Sequence, residues 1–230
     1  MMSNTSALDN IGACVFDAYG TLFDVTSAAA RCSDVLGDKA SPLADIWRTK
    51  QLQYTWLRSL MGEWADFWQV TGDGLDHALS ALDIDDAALR ARLMDLYMTL
   101  DAYPEVISTL RILKSGNYKT AILSNGSQEM ISAASRSASL TGLLDALISV
   151  DDVKIYKPHP SVYQMAVDRL GMAADKICFM SSNGWDVAGA ANFGFKVVWV
   201  NRFGQKPERI PGKYLVEIST LNELPPLLGL

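Results

Sequence analysis

The chain is poor in the side chains that most often hold metals or form cross-links, with two histidines and three cysteines among 230 residues. His77 and His159 stand far apart and no cysteine lies at zinc-ligand spacing, so neither a zinc-built fold nor zinc chemistry is expected. Cys14, Cys32 and Cys178 are odd in number and unrelated in spacing, and two of them sit inside apolar runs. That excludes a disulfide framework and reads as buried thiols in a reducing compartment. Long basic runs are missing too, and with a formal net charge of −6 and interspersed signs the chain is expected to bind neither nucleic acid nor an anionic membrane. No apolar stretch approaches bilayer-spanning length, and Met1 to Ile11 lacks the charged-then-apolar pattern of a secretory leader. Repeats and low-complexity segments are likewise lacking, and the expectation is a soluble, cytoplasmic protein.

What is present is an alternation of short apolar runs with helical patterns. Gly12 to Phe16 suits a strand buried on both faces, and it stops at Asp17 and a Tyr-Gly-Thr turn. From Asp24 to about Leu100 the pattern is helical, with four helices expected: Val25 to Leu36, one from Pro42 through Leu60, Trp64 to Leu82 with a break near Thr71-Gly72, and Asp85 to Leu100. After Pro104, strands are expected at Lys119 to Leu123, Ala146 to Val150, Lys176 to Met180 and Lys196 to Val200, with helices between them. Five such strands with helical crossovers argue an α/β fold, a Rossmann-like doubly wound parallel sheet with helices on both faces. The expected domains are a core, 1–22 with 104–230, and an inserted four-helix cap, 23–103.

In open α/β sheets the loops leaving the strands diverge and leave a crevice for ligands. Asp17 with Thr21, Ser124 with Asn125, Lys157, and Ser181 with Asn183 and Asp186 would converge there. A carboxylate without a neighbouring histidine or thiol is a credible nucleophile if a cation keeps it ionised in a dry pocket, and Lys157 is the available cation. Ser124 and Asn125, read as opening a helix, offer donors to an anion. Each residue also has a structural alternative. Asp17 could close a turn, Ser124 and Asn125 could cap a helix, Lys157 could lie on the surface, and Asp186 could stabilise a first helical turn.

Asp17-Ala-Tyr-Gly-Thr21, Leu123-Ser-Asn-Gly126, Tyr156-Lys-Pro158 and Ser181-Ser-Asn-Gly-Trp-Asp186 resemble the four motifs of the haloacid dehalogenase superfamily. Trp47-Arg-Thr-Lys-Gln-Leu-Gln-Tyr-Thr-Trp-Leu-Arg58 resembles the signature cap helix of its type II L-2-haloacid dehalogenases. The resemblance implies hydrolysis of short L-2-haloalkanoates to D-2-hydroxy acids, with inversion and through an ester on Asp17. Water would be activated by Asp186 with Asn183 and Lys157, while Thr21, Lys157 and Ser181 hold the Asp17 carboxylate. Ser124 and Asn125 would take the substrate carboxylate, and Arg48 would receive the departing halide or help orient the carboxylate. Tyr19, Leu52, Phe67, Tyr163 and Trp185 would complete the substrate pocket.

The resemblance further implies a homodimer and, as substrates, only the small haloacid and water. Phosphatases of the superfamily carry an Asp where this chain has Tyr19, and an acidic fourth motif where it has Ser181-Ser182. A hard dication would find few charged oxygens here, so no metal and no cofactor is expected. Relatives commonly carry Gln where this chain has Thr49. Two other readings remain at this point: a Mg²⁺-dependent phosphatase, and a catalytically silent small-acid binding protein on the same fold.

Overall fold

The protein is described from a computed structural model covering residues 8–230, so the first seven residues of the expected core, and most of the segment read above for a leader, lie outside the described residues. Strand β1 (Ala13–Phe16) is followed by helices α1 (Ser27–Ala30), α2 (Ser33–Leu36), α3 (Ala40–Met61), α4 (Phe67–Ala81) and α5 (Ala87–Tyr97). The alternating part then runs α6 (Val106–Ser115), β2 (Lys119–Ser124), α7 (Gln128–Ser137), β3 (Ala146–Ser149), α8 (Pro160–Leu170), β4 (Ile177–Ser181), α9 (Gly184–Phe193), β5 (Lys196–Val200), β6 (Val216–Ile218) and α10 (Leu224–Leu227).

All six strands are parallel, in the order β3-β2-β1-β4-β5-β6. The chain leaves β1 for β2 on one side and returns to β4 on the other, so the order reverses at β1, where such sheets open a crevice at their carboxyl ends. The strands read as nearly unbroken apolar runs because both faces are covered: β1 and β4 are buried throughout. Among the described residues no helix is long and apolar enough to cross a membrane, and Cys14, Cys32 and Cys178 are free and buried.

Three expectations need correction. The sheet has a sixth strand: β6 is a three-residue edge strand with one exposed residue, too short to show a pattern. The helix expected over Val25 to Leu36 is two short helices, because the Arg31 carbonyl accepts from the Arg92 guanidinium at 2.7 Å while the Val35 amide turns back to Cys32. Helix α4 runs unbroken through Thr71-Gly72. Its glycines serve close packing: a Cβ at Gly74 would sit 3.1 Å from the Gln51 backbone nitrogen, and one at Gly72 would sit 3.3 Å from the Arg90 guanidinium.

Candidate active site

Asp17 leaves the end of β1 with its amide bonded to the Met180 carbonyl of β4 at 2.8 Å, which places its side chain at the sheet's reversal point. Gly20 then turns the loop at φ +87°, a conformation that favours glycine, and brings Thr21 back toward the carboxylate. One carboxylate oxygen, Oδ2, collects Asn183 Nδ2 at 2.8 Å, Thr21 Oγ1 at 3.3 Å and Ser181 Oγ at 3.4 Å. The other, Oδ1, receives Lys157 Nζ at 3.1 Å.

Lys157 is fully buried and its ammonium also donates to Asp186 Oδ2 at 2.9 Å. Burial pulls the Lys157 pKa down, and the two carboxylates overcome that pull, so the amine is held charged above its usual value. Burial first, then the charge of Asp17, raises Asp186 to about 6, against the lowering effect of Lys157 and of the Tyr163 hydroxyl. The cation between the two carboxylates is thus an ammonium built into the chain. Among the described residues no three His, Cys, Asp or Glu side chains gather as metal ligands.

Tyr163 does not stand on the pocket wall as expected. It is buried behind Asp186, donating to Oδ1 at 2.8 Å and packed against Phe179, Phe193 and Phe195. Ser124 and Asn125 also differ from the expectation that they open a helix. Ser124 is the last residue of β2, and α7 begins at Gln128 with Ser127 as its cap. Ser124 Oγ accepts from the Gly126 amide at 2.9 Å, and Asn125 Oδ1 accepts from the Lys157 amide at 2.9 Å, which ties this loop to the one carrying the cation.

The helical segment closes the crevice from the other side. Arg48 on α3 reaches down to Asn183 Oδ1 at 3.1 Å and to the Tyr19 carbonyl at 3.5 Å. Tyr19 is buried, with its ring stacked on Tyr97 and tilted against Phe67, and its hydroxyl lacks a hydrogen-bond partner among the described residues. A Cβ at Gly126 would lie 2.7 Å from that ring, so glycine is required for the loop to pass it. Leu52, one turn beyond Arg48, and Trp185, edge-on to Trp56 of α3, are half-buried.

Two groups near the site are not singled out by the sequence reading, although Gln51 lies inside the cap-helix stretch quoted above. Arg202, beyond β5, donates to the Thr21 carbonyl at 2.9 Å, pairs with Glu105 at 2.6 Å and lies 3.8 Å from the Tyr103 ring centroid, pinning the loop after Asp17 from below. Gln51, Thr71 and Tyr97 form a buried polar knot beside Arg48. Residue type and spacing alone make Gln51 an ordinary polar position on an amphipathic helix.

This arrangement offers a carboxylate held by four side-chain donors, a fixed internal cation, a second carboxylate whose pKa is raised to about 6, and an arginine reaching the same site through Asn183. Residues 11–194 match the model of the haloacid dehalogenase-like hydrolases. The chain is 48% identical to (S)-2-haloacid dehalogenase 4A of Burkholderia cepacia over 96% of each chain, and 48% identical to (S)-2-haloacid dehalogenase 1 of Pseudomonas sp. strain CBS-3 over 96% of this chain and 98% of that one. Among solved structures it is similar to the L-2-haloacid dehalogenase of Xanthobacter autotrophicus with chloropropionic acid covalently bound, at a TM-score of 0.89 and 37% identity over 95% of this chain and 98% of that one. Fold, site and sequence agree that the chain belongs to the haloacid dehalogenase-like hydrolases.

Proposed function

We propose that the protein is an (S)-2-haloacid dehalogenase that hydrolyses short L-2-haloalkanoates to D-2-hydroxy acids, with the segment 23–103 acting as a cap over the core. The observation that carries this reading is the Asp17–Lys157–Asp186 arrangement, in which a buried ammonium balances the nucleophile and the base together. Phosphoryl transfer rests on cations that neutralise the phosphate itself, whereas here the lysine is already committed to two carboxylates and Tyr19 stands where a phosphatase of this superfamily carries an acid.

In the first step Asp17 Oδ1, which holds a single protein donor, attacks C2 from the side opposite the halogen. The C–X bond breaks, halide leaves with the bonding electrons toward Arg48, and an aspartyl ester of inverted configuration forms. Ser124, with the backbone amides of its loop, takes the substrate carboxylate, and Asn125 acts on the pocket through the lysine loop it holds. Tyr19, Phe67, Leu52 and Trp185 exclude water from the charged reactants. In the second step Asp186 takes a proton from water, the hydroxide adds to the ester carbonyl of Asp17, and collapse releases the hydroxy acid and the free carboxylate. Asn183, Thr21 and Ser181, which already donate to Oδ2, steady the charge that builds there.

The two steps titrate differently. Asp186 works as a base only when ionised; burial and the Asp17 charge hold its pKa up to about 6 in the free enzyme, and the ester removes the Asp17 charge, so ester hydrolysis loses its base at a pH below 6. Rapid mixing over a descending pH series should therefore show a burst of halide approaching one per enzyme grow in toward acid, ahead of a slower steady state, and at pH 8 no burst of that kind. Tyr163→Phe removes a bond that favours the Asp186 carboxylate, so it should move this acid limb to higher pH. An unmoved limb would detach Tyr163 from the chemistry.

The reading as a whole is tested by halide release from the two enantiomers of 2-chloropropionate in EDTA, beside p-nitrophenyl phosphate turnover with Mg²⁺. Chloride from the (S)-enantiomer alone supports it; Mg²⁺-dependent phosphate release without chloride would replace it with the phosphatase reading. In this reading the enzyme works in the cytoplasm with its thiols reduced, and as a homodimer whose contact includes Leu57, Leu60 and Met61, exposed on α3.

A further inference from the structure

Arg48 is the one cap residue whose charged group reaches the core side of the site in this account, and a long side chain with several rotatable bonds does not hold such an aim without support. The support is local. Arg48 Nη1 donates to Gln51 Oε1 at 2.8 Å, one turn along α3, and Gln51 is 1% exposed. On its other side the Gln51 amide nitrogen donates to the Thr71 hydroxyl at 2.7 Å, while the Tyr97 hydroxyl lies beside both ends of the amide, 3.0 Å from the nitrogen and donating to Oε1 at 3.2 Å.

The direction of each proton follows from the donors available. Thr71 has one hydroxyl proton, and it goes to the Phe67 carbonyl one turn back at 2.6 Å. Toward Gln51 the Thr71 oxygen can therefore only accept, so it must face the amide nitrogen. That turns the amide oxygen toward Arg48. The opposite flip would set a carbonyl against an oxygen with no proton to give, and an NH₂ against the guanidinium N–H. The close approach of α4 to α3 at Gly74 is what brings Thr71 within reach, and the Trp47 indole N–H, donating to the Thr71 carbonyl at 2.8 Å, holds the two helices in that register.

We propose that Gln51 is a positioning residue, its amide polarised by the Thr71 hydroxyl so that the oxygen fixes the Arg48 guanidinium over the Asp17 pocket, where it receives the halide. The inference deepens the dehalogenase reading and rests on it.

The test crosses two substitutions at Thr71 that separate polarity from packing. Thr71→Val keeps the shape and removes the acceptor; Thr71→Ser keeps the hydroxyl and removes a buried methyl. With (S)-2-chloropropionate as substrate and bromide as added product inhibitor, Thr71→Val and Gln51→Leu should each lower kcat/KM and raise the bromide inhibition constant by about tenfold, the usual scale for a lost hydrogen bond to a charged group. Thr71→Ser should melt at a lower temperature yet stay within about twofold of the parent in both kinetic constants. A packing role would reverse the order at Thr71, leaving the valine variant at parental values. That reversal, or parental kinetics in a folded Gln51→Leu, overturns the proposal. If the parent enzyme itself releases no halide, the dehalogenase reading has failed and the role of Gln51 falls with it.

Discussion

Asp17→Asn will lose halide release by on the order of 10³-fold or more while keeping its fold and its affinity for the substrate. An amide oxygen is a far weaker nucleophile toward a saturated carbon than a carboxylate, and among the described residues no other carboxylate stands directly at the end of β1. The shape is conserved, and the oxygen of the introduced amide can still accept from Asn183, Ser181 or Thr21 in the place of Oδ2; its NH₂ then meets the Lys157 ammonium, which keeps its bond to Asp186 at some cost in stability. Circular dichroism should therefore match the parent, and calorimetric titration with (S)-2-chloropropionate should still show binding. If the variant retained a tenth of the parental rate, Asp17 would not be the nucleophile.

The largest effect on stability is expected at Lys157. Replacing it with Met leaves the Asp17 and Asp186 carboxylates facing each other without their shared cation, in a place where the lysine side chain is fully buried. Breaking a buried ion pair from one side costs roughly 3–5 kcal/mol, and urea denaturation at pH 8 should show a loss of that size. The pH dependence has a definite sign. Lys157 lowers the Asp186 pKa, so without it Asp186 moves above its present value of about 6. A carboxylate whose folded pKa lies above its unfolded value of about 3.9 stabilises the folded state in acid and withdraws that stabilisation as pH rises through the folded pKa. The gap between parent and variant should thus be smaller at pH 5 than at pH 8. An equal gap at both would mean that the lysine contributes by packing rather than by charge.

Much of this site was legible because parallel sheets place their loops by rule. Once β1, β2 and β4 are read as strands, Asp17, Ser124, Ser181, Asn183 and Asp186 must gather at one edge, whatever the details of packing. Lys157 needed the loop after β3, and its polar type in that place was enough. Local patterns fared worse where a tertiary partner decides the outcome. The break after Arg31 depends on an arginine 61 residues away in sequence, and Gly72 looks like a helix stop until Arg90 and Met94 of α5 are seen lying against it. Ser127 rather than Ser124 caps α7 because β2 runs one residue further than its apolar pattern.

Tyr163 illustrates a different limit. Its place on α8 could be anticipated, but which side of Asp186 it occupies depends on the packing of α8 and α9 against the sheet, through contacts with Phe179, Phe193 and Phe195. The Gln51 knot is less legible still, since its meaning lies in the direction of a single Thr71 proton. That direction is set by the Phe67 carbonyl one helical turn away.

Covalent attack by Asp17 is the claim on which the rest depends, and a single turnover in ¹⁸O-labelled water with enzyme in excess tests it most directly. Water adds to the Asp17 carbonyl carbon in this account, so mass spectrometry of the peptide carrying Asp17 should show ¹⁸O, and the hydroxy acid released should carry none. Label in the product hydroxyl with an unlabelled Asp17 would mean that water displaces the halide directly, and the aspartyl ester would have to be abandoned.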